Sequence, residues 1–261
     1  MVNKGDVYAL LSGLGVKSSD TVMIHTSMRA IGGVEGGCDG LIDAFCEYLS
    51  DGLFLIPTHT WANVNREQPI YDVRSTEPCI GALPTVAAFR YDGVRSLHPT
   101  HSVAAFGKRA SEFVKGEEKA STPCTEGGAW RRLYDEDAWI LLLGVGLDKN
   151  TYIHAVDEIL DLDGKLGEVR ELTVIDGEGR EYKTDFRPHS HATSQYFINY
   201  KKPLDELSVL SYGTLGNATV TAMKARELTR VLLHIWKSAE WDLTEEYREI
   251  PVSYYEELKN V

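Results

Sequence analysis

The sequence predicts an α/β fold: a central mixed, largely parallel sheet flanked by helices, with α+β additions in the second half. Three observations predict it. Through residues 1–160 short continuous apolar runs alternate with segments of helical spacing, an order that suits strands covered by helices. Glycine-rich loops follow the apolar runs. Beyond Leu160 the pattern becomes an alternation of apolar and polar residues around Asp176-Gly177-Glu178-Gly179, a hairpin signature.

The elements follow in order. Residues 6–14 read as a helix and residues 21–25 as a buried strand, a short apolar run bounded by polar residues. Residues 32–37 form a glycine-rich loop, and residues 38–49 a helix with apolar side chains at helical spacing. Leu53-Phe-Leu-Ile56 is continuous rather than alternating, so residues 52–57 predict a strand buried on both faces. Residues 81–91 read as helical, 102–106 as extended and 130–134 as a short helix. Residues 138–144 are the clearest central strand, followed by a helix over 151–160. Residues 168–175 and 180–185 form the hairpin. An amphipathic helix over 223–236 and an acidic tail finish the chain.

Composition narrows the function. With 261 residues and 43% hydrophobic content, the chain can bury a full core. No Pro-, Gly- or Ser-rich linker divides it, so one domain over 1–261 is expected. Acidic residues outnumber basic ones by 39 to 27, a net charge of -12, which argues against nucleic acid or an anionic membrane as partner. Such a surface steers a cationic substrate, although it equally keeps a protein soluble. The longest apolar run, residues 138–147, is broken by Gly144 and Gly146 and is too short to span a bilayer. The N-terminus lacks a signal-peptide pattern. Cys38, Cys46, Cys79 and Cys124 form no C-x-x-C pair, which suits a reduced, cytoplasmic setting.

Two short stretches concentrate proton-handling groups: Arg95-Ser-Leu-His-Pro-Thr-His-Ser102 and Asn150-Thr-Tyr-Ile-His-Ala-Val-Asp157. On a helix His154, Asp157 and Glu158 project from neighbouring positions, and a carboxylate beside an imidazole fixes its tautomer and tunes it as a base. Asn150 or Thr151 is placed to cap that helix. The plainer reading of H-x-x-D alone is a surface ion pair. In the first stretch His98 reads as a residue that holds the loop together and Ser102 as a ligand contact. His59 and Trp61, just after an apolar strand, are candidates to shape a substrate pocket, and His189 with His191 to form its wall. His25, His59 and residues 144–154 all follow apolar strands, where ligands of α/β sheets bind, so they are candidates to converge on one cleft. Leu143-Gly-Val-Gly146 is too short for a dinucleotide fingerprint and reads as a tight strand exit.

Six ordered motifs together resemble the aminoglycoside 3-N-acetyltransferase family: Ile24-His-Thr-Ser-Met-Arg-Ala-Ile-Gly32, Gly52-Leu-Phe-Leu-Ile-Pro-Thr58, Cys79-Ile-Gly-Ala-Leu-Pro84, residues 95–102, Leu142-Leu-Gly-Val-Gly146 and Thr151-Tyr-Ile-His-Ala-Val-Asp157. The resemblance runs from about Val7 to Leu160. It implies acetyl transfer from acetyl-coenzyme A to the 3-amino group of a 2-deoxystreptamine antibiotic, a small cationic amine. By position Thr26, Ser27, Met28, Arg29, Gly33, Ser102 and Val103 match places that line the coenzyme, and His154 matches the catalytic histidine. Residues 1–160 are then the coenzyme-binding core and 161–261 the part that closes the substrate side. The family carries H-x-x-E where this chain has His154-Ala-Val-Asp157 with Glu158 one place on. Asp157, or Glu158, is expected to orient the His154 ring and stabilise its charged form, and Glu158 is also a candidate substrate contact. No metal is required, and a homo-oligomer is compatible with the sequence. Rival readings are an acyltransferase for another metabolic amine, a metal-dependent hydrolase using His98, His101, His154 and His189, and a non-catalytic sugar-binding module.

Overall fold

The computed structural model describes residues 1–190 and 193–260. The first half contains α1 (Lys4–Gly13), β1 (Thr21–Thr26), α2 (Met28–Ile31), α3 (Gly37–Tyr48), β2 (Leu53–Pro57), β3 (Ile70–Asp72), α4 (Ala82–Ala88), β4 (Val94–Arg95) and β5 (Val103–Phe106). Next come α5 (Ala110–Phe113), α6 (Ala129–Asp135), β6 (Trp139–Leu143) and α7 (Tyr152–Ile159). The remainder supplies β7 (Arg170–Ile175), β8 (Glu181–Phe186), α8 (Lys201–Glu206), β9 (Ser211–Leu215), β10 (Ala218–Lys224) and α9 (Ala225–Lys237).

Seven strands form the main sheet in the order β4-β5-β2-β1-β6-β10-β9. Parallel pairing is confined to β2-β1-β6. The strands outside these run antiparallel to their neighbours. The sheet is therefore mixed, as expected, with a smaller parallel part than the apolar runs suggest. Alternation along the central strands separates two apolar layers. Met23, Leu53, Leu55, Ile140 and Leu142 face one cluster with Trp130, Val156 and Leu228. Val22, Ile24, Phe54, Ile56, Leu141 and Leu143 face the other with Leu11, Leu41 and Phe45. Helices α6, α7 and α9 cover the first layer, and α1, α3 and α4 the second. A smaller sheet, β3-β7-β8, packs Val64, Tyr71, Leu172, Val174 and Phe186 into a separate cluster.

The main sheet draws on both sides of residue 160, because β9 and β10 complete it and β10 pairs with β6. Two expectations change. The last long helix begins at Ala225 rather than Met223, since Met223 is in register with Ile140 of β6. The helix expected over 81–91 ends at Ala88. The predicted hairpin is present, with Arg170 to Ile175 paired antiparallel to Phe186 to Glu181. Cys38, Cys46, Cys79 and Cys124 are free thiols. Among the described residues no helix is long and apolar enough to cross a membrane.

Candidate active site

Helix α7 sets the geometry. Thr151 holds the N-cap position without a side-chain cap, and Asn150, one residue earlier, accepts the Tyr152 N–H on its Oδ1 at 3.2 Å. Tyr152, Ile153, Ala155 and Val156 are buried, which fixes the helix rotation and turns His154 and Asp157 to one side. His154 Nδ1 lies 3.6 Å from Asp157 Oδ2, with side chains only 14% and 4% exposed. Glu158 is engaged elsewhere. It accepts from the Thr122 hydroxyl at 2.6 Å and the Cys124 N–H at 2.9 Å, and meets His189 Nε2 at 3.2 Å. The carboxyl beside His154 is thus that of Asp157, and Glu158 does not line the cavity.

Burial dominates the electrostatics. It lowers His154 to about 4, with Glu158 opposing and Lys165 adding to the shift. It raises the Asp157 carboxyl to about 7. Burial also raises Glu158, but hydrogen bonds from His189 and Thr122 outweigh it and leave the group below the usual carboxylate range. His154 is therefore a neutral imidazole near neutral pH. Its Nδ1 is the nitrogen on the side of Asp157, 3.6 Å from Oδ2 and just outside hydrogen-bond reach.

A cavity of about 590 Å³ opens beside this pair. Its wall collects His25 and Thr26 from the end of β1, Pro57 and His59 from the end of β2, and Val145, Asn150, Thr151 and His154 beyond β6. It lies beyond the carboxyl ends of the three parallel strands, and the cleft expected from sequence is formed. Gly144 makes the exit from β6 possible: its φ is +69°, and a Cβ there would sit 2.4 Å from the Ala30 Cβ. Imidazoles run along the wall, with ring centroids 4.5 Å apart for His59 and His101, 5.7 Å for His101 and His189, and 4.2 Å for His189 and His154. Burial pushes His25 down to about 3 and also lowers His59, His98, His101 and His189. These rings are consequently neutral, set in a wall that is otherwise largely apolar, with Ile24, Ile56, Leu83, Leu172 and Phe186. His25 Nε2, Thr26 Oγ1 and His59 Nε2 are buried there without a hydrogen-bond partner.

The loop over 95–102 behaves differently for its two principal side chains. His98 ties the loop together: Nδ1 accepts the N–H groups of Thr100 at 3.2 Å and His101 at 2.9 Å, while Nε2 meets the Thr122 carbonyl at 3.0 Å. Ser102 does not reach the cavity. Its hydroxyl donates to the Thr58 carbonyl at 2.8 Å and lies 2.8 Å from the Thr58 hydroxyl and 3.3 Å from Arg95 Nε. Val103 is fully buried in β5 and packs into the core. Two of the residues expected to meet the coenzyme are thus enclosed.

Of the others, Thr26 is on the cavity wall. Ser27 caps α2, its hydroxyl accepting the Ala30 N–H at 3.2 Å. Met28 packs against the α1/α3 layer, Arg29 is exposed, and Gly33 lies away from this cavity with its carbonyl bonded to Val2 N–H at 2.8 Å. His59, Trp61 and His189 all line the cavity; Trp61 is exposed at 52%. His191 lies outside the described residues. Sequence reasoning missed Arg170, Leu172 and Phe186, which the small sheet brings to the same wall. Alternation identifies their hairpin but not the face it docks upon. Among the described residues no group of three or more His, Cys, Asp or Glu is arranged to hold a metal ion.

Comparison with known proteins agrees with this geometry. Residues 23–236 match the family model described as aminoglycoside 3-N-acetyltransferase, a longer match than the motifs through Leu160. Aminoglycoside N(3)-acetyltransferase VIII of Streptomyces fradiae is 30% identical over 200 residues, covering 70% of each chain. The crystal structure of aminoglycoside acetyltransferase AAC(3)-Xa has a TM-score of 0.74 at 25% identity, covering 88% of this chain and 90% of that one. AAC-IIIb, solved as a binary complex with CoASH, has a TM-score of 0.72 at 20% identity, covering 87% of this chain and 93% of that one.

Proposed function

The chain belongs to the aminoglycoside 3-N-acetyltransferase family, and from that premise we propose that it transfers acetyl from acetyl-coenzyme A to the 3-amino group of a 2-deoxystreptamine aminoglycoside, with His154 as general base. One observation carries the assignment of roles: a neutral imidazole on a cavity wall whose second nitrogen faces a buried carboxyl 3.6 Å away. An ammonium has no lone pair with which to attack a thioester, so the acceptor reacts as the free amine, its first proton already lost to solvent, and it must give up a second proton as its nitrogen bonds the carbonyl carbon. His154 Nε2 takes that proton. The new N–C bond forms, the C–S bond breaks, and the imidazolium returns the proton to the departing sulfur. Asp157 orients the ring and stabilises its charged form as it ionises, a positioning role that its burial beside Nδ1 suits.

Thr26, His59, Trp61 and His189 are the proposed contacts of donor and acceptor, since each borders the cavity. Ser27, Met28, Arg29 and Gly33 are proposed only as the segment that follows Thr26, through α2, and holds it in place, not as contacts. A cytoplasmic setting belongs to the same proposal, where acetyl-coenzyme A and free thiols such as Cys46 coexist. The test mixes purified protein with acetyl-coenzyme A and a panel of amines and follows free thiol. Aminoglycosides should release thiol, and His154→Ala should lower turnover by at least ~100-fold while coenzyme binding persists. Thiol release with other amines alone would replace the acceptor; undiminished turnover in the variant would move the base elsewhere.

A further inference from the structure

Resting on the acetyl-transfer reading above, we propose that Arg170 is a specificity-determining residue. On its side of the cavity it admits a hydroxyl or an anionic substituent of the acceptor and disfavours an ammonium. The charges on the wall carry this. Asp148 and Lys149 pair with each other at 2.9 Å, which leaves Arg170 as the uncompensated charge among the lining residues. It stands half-buried at the start of β7, on the wall shared by the cavity and an adjoining surface pocket. Among the described residues its guanidinium makes no hydrogen bond and no ion pair. A fixed cation in such a wall repels an ammonium more strongly than it would in bulk water, because the effective dielectric constant is lower.

The rest of the polar wall favours hydroxyls. His25 Nε2, His59 Nε2 and Thr26 Oγ1 are buried and unpartnered, and each can exchange a hydrogen bond with a hydroxyl. None carries a negative charge that would offset an ammonium. Carboxylates stand further out: Glu67 and Glu168 line the adjoining pocket, and Glu168 is held by Arg66 at 3.1 Å. An acceptor with several amines therefore enters with the reacting amine towards His154, its hydroxyls against the imidazoles and Arg170, and its remaining ammonium groups outward.

The test uses pairs of aminoglycosides that share the acceptor ring and differ on another ring by one hydroxyl in place of an amino group. Wild-type protein, Arg170→Gln and Arg170→Glu are compared, with acetyl-coenzyme A and acceptor titrated separately. The hydroxyl member of a pair should be favoured in kcat/KM by at least about tenfold. That ratio should approach one in Arg170→Gln and invert in Arg170→Glu, with the KM for acetyl-coenzyme A held within about twofold. Equal rates for the pair in wild-type protein would overturn the assignment. So would an unchanged ratio in the variants accompanied by a raised KM for acetyl-coenzyme A, which would put Arg170 on a coenzyme phosphate. Absence of thiol release with every aminoglycoside would overturn the acetyl-transfer reading first and this one with it.

Discussion

The imidazoles of His154 and His189 lie with ring centroids 4.2 Å apart, and each is backed by a different one of two consecutive carboxylates. Asp157 stands behind His154 and Glu158 behind His189. Because the two rings are buried together, a charge on one opposes a charge on the other: His154 is second only to burial among the causes that lower His189. The two pairs have different duties. Asp157 has no hydrogen-bond donor on either oxygen and can respond to the charge on His154, whereas Glu158 is already satisfied by a hydroxyl, a backbone N–H and an imidazole.

Replacing the two carboxylates should therefore give separable defects. Asp157→Asn should lower kcat by about 10- to 100-fold with little change in stability or in the KM for acetyl-coenzyme A. In the wild-type protein kcat should rise as Asp157 ionises through about 7, and that rise should flatten in the variant. Glu158→Ala should instead cost about 1–3 kcal/mol of stability, because it strands the Cys124 N–H and its other donors. Paired kinetic and urea-unfolding measurements check both; equal kinetic defects with no stability difference would contradict the division.

Acid should destabilise the protein well before the carboxylates of the surface are protonated. His25, His59, His98, His101, His154 and His189 all have lowered pKa values, so the unfolded chain binds protons that the folded one refuses. Their contribution is fully present above the unfolded value of 6.5 and is lost as the pH falls towards about 4 for His154 and about 3 for His25. Asp157 acts with the opposite sign. Raised from 3.8 to about 7, it contributes stability that is complete below 3.8 and is lost as the pH rises through about 7. Unfolding near pH 5 should take up more than about three protons, measurable as the slope of unfolding free energy against pH. A flat dependence between pH 6.5 and pH 4 would show that these rings are not held neutral.

The exit from β6 offers a purely steric prediction. Gly144→Val would place a β-branched residue at a φ of +69° with its Cβ pressed on Ala30 and Ala218. Backbone strain and overpacking together should cost at least about 2 kcal/mol. Activity should fall as well, since Val145 and the loop to His154 line the cavity. Thermal unfolding and thiol-release rates check this; a variant of unchanged stability and rate would show that the turn relaxes freely.

Much of this organisation is written in local patterns. The strand at residues 21–26, the strand at residues 53–57 and helix α7 follow from short apolar runs and helical spacing, and the three-residue interval between His154 and Asp157 places them on one side of that helix without outside help. His98 as the tie of its loop is equally local, because its backbone donors lie two and three residues away. Strand β10 does alternate, Ala218-Thr-Val-Thr-Ala222, but nothing local says that it pairs with β6, and β9, with Gly213 at its centre, owes its place to pairing with β10.

The amino-acid sequence by itself thus determined the central strands, the helix bearing the candidate base and the order of motifs that marks the family. Tertiary structure decided which groups are free to act. It gave Glu158 to His189, 31 residues away, and Ser102 to Thr58, 44 residues away, while leaving Asp157 for His154 and Arg170 for the cavity. The physical reason is that helical spacing and apolar runs are local properties, whereas burial and hydrogen-bond satisfaction depend on partners that only the folded chain brings within reach.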